Sequence, residues 1–251
     1  MKIALSTKIF WGLVIFYAVL AVVNIYLPQG DFLSLQPSQQ ELPAPKSIIA
    51  LANAGIILVL YGGLGYLGLM LSRKVSWPDI YDKRISNHKR FLIPALIGAA
   101  LGVFLIIGDM IFSRFNTIGH FLHPPFPTSL VASFSAGIGE EIMFRLFFIS
   151  FWTWLISKVI LRNKWQNQVF WVVAVLSALA FAVGHYPALM LLCNFNSVSA
   201  IPVVLQIEVI LLNSAVGIFA AYYFRRYGFL AAVGVHFWTD IVWHVIYGLL
   251  Q

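Results

Sequence analysis

Two adjacent carboxylates, Glu140 and Glu141, stand in the apolar stretch Ser133-Phe-Ser-Ala-Gly-Ile-Gly-Glu-Glu-Ile-Met-Phe-Arg-Leu-Phe-Phe, with Arg145 four residues beyond the second. On a helix, Glu141 and Arg145 share a face and can pair. Glu140 lies about 100° further around the axis and has no cation of its own on that helix. Such a carboxylate, in a partly dehydrated cavity, suits a general base that takes a proton from water. Two other segments extend the pattern. Phe181-Ala-Val-Gly-His185 places one imidazole in an apolar run, and His236-Phe-Trp-Thr-Asp240 places an imidazole and a carboxylate on one helical face. A single buried histidine is more often a satisfied hydrogen-bond partner than a catalyst. Three apolar segments that each carry an acid or a histidine repeat the desolvation cost three times, which favours a shared site.

The elements that must position these residues are membrane helices. The 251 residues are 61% hydrophobic and 10% charged, against about 25% charged for a soluble domain, and the mean hydropathy is +0.88. Apolar runs of bilayer-spanning length, about 20 residues, fall near Ile9–Leu27, Ile48–Leu71, Phe91–Ser113, Leu130–Ile156, Val169–Leu191, Val203–Phe224 and Phe229–Leu250. The expected fold is all-α, a polytopic transmembrane helical bundle of about seven spans. With the N-terminus cytoplasmic, Lys2, Lys8, Arg73, Lys74, Lys83, Arg84, Lys89, Arg90, Lys158, Arg162, Lys164, Arg225 and Arg226 lie on the cytoplasmic side, and only Lys46 and Arg114 lie opposite. This is the positive-inside distribution. It assigns the net charge of +7 to topology and excludes a nucleic-acid footprint. Lys2 and Lys8 precede an apolar run too long for a signal-peptide core, and no small-x-small site follows Leu27, so the first span is expected to stay uncleaved. Cys193 is the single cysteine, which leaves no intrachain disulfide and no cysteine-based metal site.

Pro28–Lys46 reads as an external loop and the most flexible segment. Ser72–Arg90 reads as a cytoplasmic loop interrupted by Trp77-Pro78, its basic residues suited to anionic lipid. Phe115–Thr128, with His120, His123 and Pro124-Pro125, reads as a second external loop. Gly98 and Gly102 form one GxxxG, and Gly62, Gly63, Gly65 and Gly68 crowd the second span; small residues let membrane helices approach closely. Among the other acids and histidines of the spans, Asp109 reads as structural, near headgroup water. Glu208 reads equally as a helix-pairing or a functional residue, and His244 as interfacial.

Depth poses a problem for a shared site. At about 1.5 Å per residue, Glu140 and His185 lie roughly 25 Å from the cytoplasmic ends of their helices, but His236 lies only about 12 Å from its own. Convergence requires tilted or broken helices, and Gly184, Pro187 and Gly234 are the expected breaks.

Glu140-Glu141-x-x-x-Arg145, Phe181-x-x-x-His185 and His236-x-x-x-Asp240, in this order and each in its own span, resemble the three motifs of the CPBP family. These are the CAAX prenyl protease and bacteriocin-processing membrane proteins, also called Abi proteins. The resemblance covers roughly residues 90–250, so residues 1–90 are expected to form an N-terminal pair of spans with a basic loop, and 91–251 a protease core of spans three to seven. It implies a glutamate-type intramembrane endopeptidase in a bacterial plasma membrane, acting on a membrane protein or peptide, prenylated or not, without a cofactor or a metal. By resemblance, Glu140 activates the hydrolytic water and His185 helps to hold or deprotonate it. Glu141 and Arg145 orient the site, and His236 and Asp240 line the oxyanion hole. The best-studied members carry Asn where this chain has Asp240. An ionised Asp cannot donate to an oxyanion, so either Asp240 is protonated in its low-dielectric site or, the favoured reading, it orients a cationic His236, which does the donating.

Three other readings compete. Zn²⁺ on His185, His236 and a carboxylate would use suitable ligand types, but the nearby Arg145 disfavours a cation. A proton- or ion-coupled transporter would also use midplane acids and histidines, although no internal repeat relates the halves of the chain. A non-catalytic membrane scaffold has no reason to retain so many costly charges.

Overall fold

The computed structural model describes residues 4–30 and 44–251; Lys2 and most of the Pro28–Lys46 loop lie outside the described residues. Seven helices are long and apolar enough to cross a membrane: α1 Leu5–Tyr26, α2 Lys46–Lys74, α3 His88–Phe112, α4 Thr128–Ile160, α5 Gln166–Leu192, α6 Val203–Tyr227 and α7 Phe229–Tyr247. Their ends depart from the expected spans by no more than four residues, and no strand occurs among the described residues. Prolines set several boundaries, since each lacks the amide hydrogen that a continuing helix needs. Pro127 immediately precedes α4 and Pro202 precedes α6. Gly228, at φ +90°, makes the sharp turn from α6 into α7 that a side chain would strain.

The glycines mark where helices touch. At Gly98 and Gly102 of α3 a Cβ would meet the backbone of Val235 and Thr239 and the side chain of Val242 on α7, all closer than 3 Å. The Thr239 hydroxyl donates to the Gly98 carbonyl at 3.1 Å. The GxxxG therefore seats α7, the helix that carries His236 and Asp240. At Gly68 of α2 a Cβ would strike the Leu146 carbonyl of α4, and at Gly65 it would meet Ile142 and Phe10. Gly98→Ala should thus push α3 from α7, shift His236 and lower activity at least tenfold. Unchanged activity together with an unchanged melting temperature would show that the seam has slack.

Ser72–Arg90 is less exposed than a lipid-facing loop would be. Val75, Trp77 and Ile80 enter the main apolar core, with the Trp77 ring edge-on to Phe170 and Phe224 at 5.5 Å. Arg73 pairs with Asp79 at 2.9 Å. Arg90 is buried, donates to the Asp82 and Ile85 carbonyls and to Asn87 Oδ1, and stacks on Tyr81 at 4.1 Å. These two cations fasten the loop.

This loop also covers the start of α7. Pro78 and Asp79 lie over Gly228, and Phe229 is buried in the core beside Trp77 and Ile80. The helix α7 thus begins beneath a folded cap. One expected break is present: α5 stops at Val183, turns through Gly184 and His185, and resumes at Tyr186–Leu192. Pro187 has no amide hydrogen for the Val183 carbonyl, which accounts for the interruption. Gly234, by contrast, lies inside an unbroken helix, Phe229–Asp240, against Pro94.

Wider turns replace breaks elsewhere. The helix α4 changes to π-helical turns at Ile142–Ile149, directly after Glu141, and α7 does so at Ile241–Tyr247, directly after Asp240. Such turns hold one extra residue per turn and often occur at functional sites.

Candidate active site

The two glutamates divide by environment. The Glu141 side chain is 0% exposed and the Glu140 side chain 38% exposed, so only Glu140 presents itself to open space. Glu141 Oε1 lies 3.1 Å from Arg145 Nη1 and accepts from His236 Nδ1 at 2.8 Å. The fully buried Arg145 guanidinium sits over the Phe181 ring at 4.6 Å, a cation–π contact strengthened by desolvation. The i,i+4 pairing expected from the sequence is present. The sequence did not reveal that Glu141 also reaches across to α7.

His236 is the hinge of the arrangement. Its Nδ1 is engaged by Glu141, and its Nε2 lies 3.8 Å from Glu140 Oε2 and 3.6 Å from Asp240 Oδ2. Neither of the last two is a hydrogen bond at that length. His185, at the break in α5, has Nδ1 2.8 Å from the Phe181 carbonyl. A carbonyl only accepts, so Nδ1 carries a hydrogen, and in the neutral ring Nε2 keeps its lone pair. Phe181 packs edge-on to both rings, at 4.9 Å to His185 and 5.4 Å to His236. This one phenylalanine therefore touches both imidazoles and the guanidinium. Its place four residues before His185 was the available signal, though an aromatic at that spacing usually reads as core.

Glu140, His185, His236 and Asp240 line a single cavity of about 300 Å³, whose walls include Leu105, Leu189, Leu212 and Val216. A small number of polar groups converging on a mostly apolar cavity is the usual form of a small-molecule or peptide site. Among the described residues no group of three or more His, Cys, Asp or Glu side chains has the geometry to hold a metal ion.

The far wall holds residues that the sequence placed elsewhere. His244 lines the cavity; its Nδ1 lies 3.1 Å from His123 Nδ1. Burial pushes the His123 pKa down to about 4, so at neutral pH this ring is uncharged and the pair can share one hydrogen. Asp109 is fully buried. It accepts from His120 Nδ1 at 2.5 Å and from the Phe121 amide at 3.1 Å, fastening the segment between α3 and α4. Glu208 also lines the cavity and meets Asn116 of that segment at 3.5 Å. These contacts turn the expected external loop into the cavity's outer wall.

A family model described as Rce1-like, Type II CAAX prenyl endopeptidase Rce1-like, matches residues 122–242. The match opens at Leu122 in the cavity wall and includes all three motifs. No curated protein and no solved structure matches the chain. Residues 122–242, which hold the paired glutamates, His185, His236 and Asp240, are thus similar to the Rce1-like type II CAAX prenyl endopeptidase family.

Proposed function

We propose that this protein is a glutamate-type intramembrane endopeptidase that hydrolyses a peptide bond in a membrane-associated or lipidated protein. One observation carries the reading: Glu140, His185, His236 and Asp240, from three spans, line one cavity, while Glu141 is withdrawn from it by Arg145 and His236. Glu140 is the general base. It takes a proton from water as the water oxygen attacks the scissile carbonyl, and later delivers that proton to the leaving amine as the C–N bond breaks. The free Nε2 of His185 accepts a hydrogen bond from the same water and aims its lone pair at the carbonyl. Developing negative charge on the carbonyl oxygen is met by His236 Nε2, which donates when the ring is doubly protonated, since Nδ1–H is committed to Glu141. The apolar walls suit a lipid-modified or membrane-spanning segment, and the basic end of the bundle faces the cytoplasm by the positive-inside rule.

Asp240 is tested separately. Glu141, at 2.8 Å, orients His236 more directly than Asp240 does at 3.6 Å. Asp240→Asn removes a carboxylate that opposes the oxyanion and adds an N–H donor. Activity should therefore stay within about fivefold of wild type or rise, whereas a hundredfold loss would make the Asp240 carboxylate the group that orients His236.

The activity and its substrate are tested together by comparing the termini of membrane proteins in cells expressing wild-type protein or Glu140→Ala at matched levels. New termini should depend on Glu140. Identical terminomes would remove the peptidase reading.

A further inference from the structure

The bundle's basic end holds a second depression, far from the paired glutamates. It measures about 520 Å³, and its walls include Arg84, Lys89, Arg225 and Arg226, with Trp171 and Tyr222 at its side and no acidic residue. Its cations come from three segments: the loop after α2, the first turn of α3 and the last turn of α6. The positive-inside rule requires cations at this end but does not require them to converge on a groove. The folded cap has already committed Arg73 to Asp79 and Arg90 to carbonyl groups.

The four wall cations are not equivalent. Arg84 is paired with Asp82 at 2.6 Å. Arg225 donates to Asn167 at 2.7 Å and stacks on Phe170 at 4.4 Å, so it also builds the wall. Lys89 and Arg226 are exposed, and among the described residues neither forms an ion pair. The groove thus offers two uncommitted cations plus the shared charge of a third and fourth. Trp171 and Tyr222 are 38% and 42% exposed, on the flank of α5 and α6 near their basic ends. Such aromatics settle at headgroup level. The volume is far larger than a bare phosphate fills, and the aromatic side would be of no use to a free anion.

We propose that this groove binds the phosphate-bearing headgroup of an anionic phospholipid, with Lys89 and Arg226 on the phosphate and Trp171 and Tyr222 beside the glycerol and the first acyl carbons. The site couples the cap to α6 and α5 through one lipid and does not depend on the peptidase reading.

Native mass spectrometry of the purified full chain in a neutral detergent tests it, with phosphatidylglycerol, phosphatidylcholine and inorganic phosphate as probes. One phosphatidylglycerol should be retained more tightly than phosphatidylcholine, and excess inorganic phosphate should not displace it. Juxtamembrane cations contribute about fivefold in affinity each, so Lys89→Gln/Arg226→Gln should weaken phosphatidylglycerol roughly 25-fold. Arg162→Gln/Lys164→Gln, which removes the same charge from the same end outside the groove, should leave it unchanged. Both groove side chains are exposed, so the variant should fold as wild type does. The proposal is overturned by equal losses in both variants, by no loss in the groove variant, by equal retention of phosphatidylcholine, or by displacement with inorganic phosphate, which would indicate a simple anion site.

Discussion

Glu140→Gln protein should insert, fold and melt like wild type, yet cleave about 10²–10⁴-fold more slowly. The substitution preserves shape and one acceptor oxygen while removing the group that takes the proton. Glu140 has no buried ion pair to lose, since its nearest cationic neighbour, His236 Nε2, is 3.8 Å away and the side chain is 38% exposed. Stability and activity should therefore separate cleanly at this position. The measurement is single-turnover cleavage of a substrate taken from the terminome comparison, alongside a melting curve in the same detergent. Wild-type rates in the Gln variant would remove Glu140 from the chemistry.

Arg145 should behave in the opposite way. Arg145→Met leaves the fully buried Glu141 carboxylate with only the His236 hydrogen bond. Removing one member of a buried ion pair typically costs about 3–5 kcal/mol, so both stability and cleavage should fall. Arg145→Lys should recover only part of the loss, because an ammonium cannot reproduce the planar stack on Phe181. Arg145→Met/Glu141→Gln should regain most of the stability, since no uncompensated charge remains and Gln still accepts from His236 Nδ1. Reversible unfolding of the three variants would measure the coupling. A loss below about 1 kcal/mol in Arg145→Met would place the pair among weak surface-like contacts.

Much of the site was legible because helical spacing within one segment is a local property. The Glu141–Arg145 pair and the shared face of His236 and Asp240 follow from four-residue spacing, and Pro187 after His185 announces the break in α5. The hydrogen bond between Glu141 and His236 was not legible. It depends on how α4 and α7 sit against each other, which is fixed by Gly98 and Gly102, by the cap over Gly228 and by π-helical turns that no residue pattern declares. The same reason hid the inward placement of His244, whose partner His123 is 121 residues away in the chain. The cap itself was misread because Val75, Trp77 and Ile80 are scattered among charged neighbours, so no run of apolar residues marked them as core.

The π-helical stretch Ile142–Ile149 makes chain length itself a structural variable at this point. Deleting one residue between Leu146 and Ile149 would remove the residue that the wide turns accommodate and let this stretch relax to ordinary pitch, re-phasing the side chains within it. Leu146 and Ile149, both buried, would shift against α2. Glu140, Glu141 and Arg145 would keep their spelling and lose the floor that holds them. Homologues that carry these three letters but lack one residue just downstream should therefore prove inactive or differently packed, a distinction visible to gap placement and invisible to motif matching.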